Sequence, residues 1–244
     1  MKMQILITGN SLTLEELAAV CREDAKVVLS QEAKERIVES RQVVDSLVAD
    51  GTKVYGITTG FGKFSDVRIT NDECKTLQRN LIITHAVGAG EPFSREASRG
   101  IMLLRVNNLA KGFSGARLEV VETLIAMLNR GVTPVIPQKG SLGASGDLAP
   151  LSHMGLVLLG RGMANYHGSK MTGAKAMEMA GIKTLDTLVS KEGLGITNGT
   201  CAMTSVGALN LYDTICAAQM ADLVCSLTFT ALPGQRNAYE ERKD

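Results

Sequence analysis

Residues 199–232 read GTCAMTSVGALNLYDTICAAQMADLVCSLTFTAL, and only Asp213 and Asp222 in that stretch are charged. The pattern predicts the longest helix of the chain, apolar on most sides. A helix apolar on most sides must be buried on most sides. That demands more surrounding helices than the rest of the sequence obviously supplies, which points to association with other chains. The remaining composition agrees with a helical protein. Trp is absent and aromatics make up 4% of the 244 residues, so the core must be Leu, Ile, Val, Ala and Met, which suits close-packed helices and disfavours an all-β fold.

The charges exclude some partners. Lys and Arg number 26 against 25 Asp and Glu, a balance that gives no electrostatic case for nucleic acid or an anionic membrane. The five cysteines (Cys21, Cys74, Cys201, Cys216, Cys225) are odd in number and lack CxxC or Cys/His ligand spacing. This argues against a disulfide framework and against a metal site, and for a reducing cytoplasm. The apolar run Met3–Ile7 is too short for a signal peptide. Residues 193–212 carry no charge, but Asn198, Asn210, three Thr and four Gly make a poor membrane span.

Working toward the N-terminus from the long helix, GSLGASGDLAP at 140–150 precedes a helix running to about Gly160, with Asp147 placed to cap it and Pro150 in its first turn. Residues 144–146 then sit at a helix N-terminus. The prolines of GVTPVIPQKG force an extended connection before it, and helical patterns occupy about 94–112 and 116–130. Thr70-Asn-Asp-Glu73 is a capping box, and its stripe through Cys74, Leu77 and Leu81 places His85 facing inward near the helix end. Thr13-Leu-Glu-Glu16 is another, opening a helix through Arg22; residues 31–50 form a half-exposed helix ended by Gly51. We expect a mainly α fold with small extended elements, in which no repeat, low-complexity tract or linker marks a domain boundary.

Two glycine-rich stretches fail familiar tests. YGITTGFGKF lacks the Gly at Ile57 and the Ser or Thr at Phe64 that a phosphate loop requires, and GASGD has Asp147 where a nucleophile elbow needs Gly. Ala144-Ser145-Gly146 offers different chemistry. If the Gly146 nitrogen attacks the Ala144 carbonyl and Ser145 loses its hydroxyl, two waters leave and a methylidene-imidazolone remains, an electrophile made from protein. Gly146 permits the close approach a Cβ would hinder, and Ser145 supplies the methylidene carbon. The tripeptide alone reads equally as a flexible turn before a helix.

The context favours the electrophile. KGSLGASGDLAPLSHM at Lys139–Met154 resembles the signature of the aromatic amino-acid ammonia-lyases and aminomutases, which carry this group. YGITTGFGKF at 55–64, NLIITHAVGAG at 80–90, LRVNNLAKGFSG at 104–115 and EGLGITNGT at 192–200 resemble the same family in its order and spacing, and most nearly its histidine-using members. The resemblance implies elimination of ammonia from an aromatic L-amino acid, histidine to urocanate first among them, with tyrosine, phenylalanine or an aminomutase reaction as variants. It implies 4-methylidene-imidazol-5-one as the cofactor and no metal, and a chain divided into an N-terminal domain at residues 1–198 and the start of a central long-helix bundle at 199–244.

Tyr55 matches the family's base. An ordinary tyrosine titrates at about 10, so the role requires surroundings that favour phenolate. His85 matches a contact to a polar substrate ring, and Asn198 matches the Asn that bonds the electrophile or the substrate amine. Each has a plainer alternative: a buried structural tyrosine, a satisfied core histidine, a turn asparagine. Asp147 either helps dehydration or caps, with capping preferred. His153 and His167 carry no assigned role, although His167-Gly168 reads as a turn.

The sequence departs from the family at Cys201, where Gln is usual, and at Thr197 in place of an apolar residue. The resemblance covers about the first half of the family's usual chain. The carboxylate-clamping Arg and second Tyr of its later half have no counterpart, and family sites combine residues from three subunits of a tetramer. Three readings follow: the N-terminal component of a split lyase whose later half is a separate polypeptide, a truncated inactive remnant, or a helical assembly module.

Overall fold

A computed structural model describes residues 3–60, 69–142, 146–232, 234–235 and 237. The chain begins with strand β1 (Gln4–Ile7), helix α1 (Leu14–Arg22) and strand β2 (Lys26–Leu29), the two strands pairing in parallel with Gln4 opposite Lys26. Ile5, Ile7, Val27 and Leu29 alternate inward. The Asn129 amide brackets Val27 from the other side, accepting its N–H at 2.8 Å and donating to its carbonyl at 2.8 Å. That closes an otherwise open strand edge. The apolar run at Met3–Ile7 thus becomes a strand.

Helices dominate thereafter: α2 (Gln31–Ala49), α3 (Asn71–His85), α4 (Arg95–Leu109), α5 (Leu118–Arg130), α6 (Leu148–Leu158), α7 (Gly173–Met179), α8 (Glu192–Thr197) and α9 (Cys201–Ala231). Both expected capping boxes form, Thr13 with Glu16 and Thr70 with Glu73. Short antiparallel pairings link the helices: β3 (Ala89–Pro92) with β5 (Pro137–Lys139), and a sheet ordered β4 (Thr133–Pro134), β6 (Met163–Tyr166), β7 (Ser169–Thr172). His167 and Gly168, both at positive φ, make the turn between β6 and β7.

Helix α4 is the centre of the core, with Ile101, Met102, Leu103 and Val106 fully buried among α1, α5 and α9. It meets α9 closely because Gly100 has no side chain: a Cβ there would overlap Ser205 Oγ, which instead donates to the Ala97 carbonyl at 2.8 Å. Arg22 ties three helices together, binding Asp213 of α9 at 2.5 and 2.8 Å and Glu96 of α4 at 2.6 Å.

Beyond that anchor α9 is largely exposed among the described residues. Its buried residues are Cys201, Ala202, Ser205 and Leu209, whereas Leu211, Ile215, Met220, Leu223, Val224 and Leu227 are exposed. The helical stretch Glu192–Ala231 is long and apolar enough, by length and composition, to cross a membrane.

Candidate active site

The end of the glycine-rich loop is fixed by its contact with a second turn. Gly146 has φ +110°, and a Cβ built on it would lie 2.5 Å from the Gly199 carbonyl oxygen and 2.7 Å from the Gly199 nitrogen. Only glycine permits that approach. The Asp147 N–H donates to the Gly199 carbonyl at 2.7 Å, so main chain locks to main chain.

Asp147 stands at the N-cap position of α6, but the structure corrects the expectation that its side chain caps that helix. The Asp147 side chain makes no capping bond to α6. Its Oδ2 instead accepts the N–H groups of Ala202 at 2.8 Å and Met203 at 3.0 Å, the free donors at the start of α9, while Oδ1 accepts from Ser141 Oγ at 2.7 Å. One carboxylate thereby joins the loop before it, α6 and α9.

Beside this junction Tyr55, Arg105, Phe113, Ser114, Lys191, Leu194, Gly195 and Asn198 line a cleft of about 380 Å³. Tyr55 is 56% exposed, which excludes the buried structural tyrosine. Its turn is braced on both sides: the Val54 carbonyl accepts from Ile57 at 3.1 Å and Thr58 at 3.0 Å, and Val54 N–H donates to Thr58 Oγ1 at 2.9 Å. Asn198 follows the short helix α8 directly, with Gly199 at its C-terminal side. Tyr55 and Asn198, far apart in sequence, therefore face one space.

His85 is not among the residues lining that cleft. It is the last residue of α3, half-buried, and its Nδ1–H donates to the Leu81 carbonyl at 2.9 Å, which makes Nε2 the acceptor of the neutral ring. The turn after it packs on the loop: Gly88 N–H donates to His153 Nε2 at 3.0 Å, and a Cβ on Gly140 would lie 3.0 Å from Gly88 Cα. Burial holds the His153 pKa below its usual value. Ala144 and Ser145 lie outside the described residues, as does 61–64 of the YGITTGFGKF stretch. Among the described residues no group of three His, Cys, Asp or Glu could hold a metal ion.

Residues 12–243 match the family described as aromatic amino acid lyase. The chain belongs to that family. It is 56% identical over 239 residues to a histidine ammonia-lyase of Caldanaerobacter subterraneus, covering 98% of this chain and 47% of that protein. A histidine ammonia-lyase from Trypanosoma cruzi superposes with a TM-score of 0.88 at 36% identity, over 96% of this chain and 45% of that one. The ergothionase of Treponema denticola gives 0.88 at 32% identity, over 98% and 48%. The chain spans about half the length of the curated relatives it matches.

Around this cleft several buried groups have no signal in the sequence alone. Arg105 stands in the LRVNNL stretch of α4, where a lone charge suggests a solvent face; it is 1% exposed instead. Glu192, at the start of α8, is fully buried and bound by Arg117 Nε at 2.7 Å and Nη2 at 3.0 Å, with Val189 N–H at 2.9 Å. That ion pair anchors the helix carrying Asn198. Neither partner has a local sequence signal, because each is defined by a contact across the fold.

Proposed function

We propose that this chain is the N-terminal component of an ammonia-lyase that converts an aromatic L-amino acid, histidine by preference, to its unsaturated acid. The observation that carries the reading is the seating of Gly146 on Gly199 at the edge of the Tyr55–Asn198 cleft. The relatives at about half identity named histidine ammonia-lyase support histidine as the substrate.

The residues present fit a 4-methylidene-imidazol-5-one formed from Ala144-Ser145-Gly146. Ring closure needs the Gly146 nitrogen to reach the Ala144 carbonyl carbon. The cradle around Gly146 is one that a Cβ would fill, and it presents the Gly146 main chain in a left-handed conformation open to glycine. When formed, the group supplies an electrophilic carbon that captures the substrate amine and makes it a better leaving group. Tyr55 takes the β-proton, its exposed side chain being carried on a braced turn at the cleft. Asn198 orients the amine side of the substrate, whereas His85 lies outside the cleft that Tyr55 and Asn198 line and is given no substrate contact there. Asp147 acts through structure, holding the loop to α9.

Residues 199–244 begin a central helix bundle in this proposal, and the uncovered face of α9 awaits a separate C-terminal-half polypeptide or a full-length relative in an oligomer. Asn210, Asp213, Gln219 and Asp222 along α9 suit a protein-lined position in a cytoplasmic enzyme better than lipid. The test is reconstitution. The 244-residue chain, mixed with the C-terminal half of the Caldanaerobacter histidine ammonia-lyase, is expected to form a complex that releases urocanate from histidine, read by its absorbance, and Ser145→Ala abolishes the product. Coumarate from tyrosine or cinnamate from phenylalanine in its place reassigns the substrate. A mixture giving neither complex nor product overturns the proposal.

A further inference from the structure

We propose that Arg105 is a positioning residue for the electrophile loop, setting the Asn198–Gly199 turn so that the Gly146 nitrogen is presented for ring closure. The inference rests on the lyase reading above and adds a role for a residue of the LRVNNL stretch that the reaction itself does not use.

Arg105 rises from the buried side of α4 and ends beneath α8. Its Nη1 donates to two carbonyls at the C-terminal end of that helix, Gly195 at 3.0 Å and Asn198 at 2.8 Å. Those oxygens have no partner within the helix, and a cation is the group best suited to a helix C-terminus. Holding the Asn198 carbonyl fixes the peptide plane that leads into Gly199. The next layer is steric. A Cβ on Gly199 would lie 2.2 Å from Arg105 Nη2, and a Cβ on Gly146 would lie 2.5 Å from the Gly199 carbonyl oxygen. Guanidinium, Gly199 and Gly146 are thus stacked in contact, two bare main-chain residues on a rigid plane.

The stack is not a packing convenience. Arg105 Nε and Nη2 are both buried and meet no acceptor among the described residues stronger than the thiol of Cys201 beside the guanidinium. A buried cation with donors so weakly met is costly, and an apolar side chain of the same length would fill the space without that cost. What an apolar chain lacks is the grip on the Asn198 and Gly195 carbonyls. Arg105 also borders the cleft of Tyr55 and Asn198, so a shift of its plane moves the loop seat and the Asn198 side chain together.

The experiment follows dehydration by intact mass in a time course after cell-free synthesis, alongside the helical circular dichroism signal, for the wild-type chain, Arg105→Met, Gly199→Ala and Arg105→Lys. Arg105→Met removes the grip; Gly199→Ala leaves the arginine and wedges its plane away. Both are expected to keep the helical signal and to lose the two waters about a hundredfold more slowly, the scale set by a misplacement of roughly 1 Å. Arg105→Lys, which keeps a cation for the carbonyls, restores part of the rate. Dehydration at the wild-type rate in both variants overturns the inference and leaves the lyase reading intact. Loss of the helical signal in both overturns it in favour of a purely structural arginine. A folded wild-type chain that never dehydrates overturns the lyase reading, and this inference falls with it.

Discussion

Asp147 stands at the start of one helix and stabilises the start of another: its Oδ2 accepts the Ala202 N–H at 2.8 Å. The Met203 N–H shares that oxygen and Ser141 holds its neighbour, so the carboxylate is a hub for the loop and for α9. Asp147→Ala is expected to lower stability by about 2 kcal/mol, the loss of a helix cap together with buried donors left unmet. Asp147→Asn, which keeps an acceptor, costs less. Urea denaturation followed by circular dichroism checks the order; equal midpoints for wild type and Asp147→Ala would remove the hub.

The buried pair under α8 gives a second expectation. Arg117 is partly open to solvent while Glu192 is fully enclosed, so the two substitutions are not equivalent. Arg117→Met strands a buried carboxylate and is expected to cost about 2–3 kcal/mol, discounted for the exposure of the arginine. Glu192→Gln keeps acceptor and packing and costs less. A smaller loss for Arg117→Met than for Glu192→Gln contradicts this arrangement.

His153 makes stability depend on pH with a definite sign. Its Nε2 accepts the Gly88 N–H, which requires the neutral ring, and burial lowers its folded pKa below the ordinary value of 6.5. The unfolded chain therefore binds the proton more readily, so the contribution is complete above pH 6.5 and is lost as pH falls through the lower folded value. Melting temperatures of wild type should decline across that acidic range more steeply than those of His153→Gln. Parallel curves would show that the Gly88 contact does not respond to protonation.

Thiol labelling reports what covers α9. Cys216 and Cys225 are exposed, whereas Cys21, Cys74 and Cys201 are buried, and burial pushes the Cys21 thiol up to about 12. A disulfide reagent at neutral pH is expected to modify Cys216 and Cys225 promptly and the other three only after unfolding. Adding the C-terminal half of a histidine ammonia-lyase should protect the two. Undiminished labelling in a complex that has formed would place the partner elsewhere.

Local signals were legible in the sequence and distant ones were not. Thr13 with Glu16 and Thr70 with Glu73 announce their helices because a capping box is complete within four residues. The composition of residues 199–232 announces both the long helix and its need for cover, and α9 is that helix. The parallel pairing of β1 with β2 joins segments separated by a helix and leaves only a short apolar run at Met3–Ile7 to read. Helix α8 is six residues long, too short for a period to show. In the candidate site, the motif resemblance singles out Tyr55 and Asn198, which share a cleft. The target of Asp147 and the burial of Arg105 are set by α9 and α8 closing over them, and no spacing in the chain encodes either.

The central claim is that Ala144-Ser145-Gly146 becomes an electrophile, and intact mass of the folded chain tests it most directly. The account predicts a mass two waters below that of the encoded sequence, with borohydride consumed at residue 145 and neither effect in Ser145→Ala. A soluble, folded chain with an unmodified Ala-Ser-Gly would contradict it.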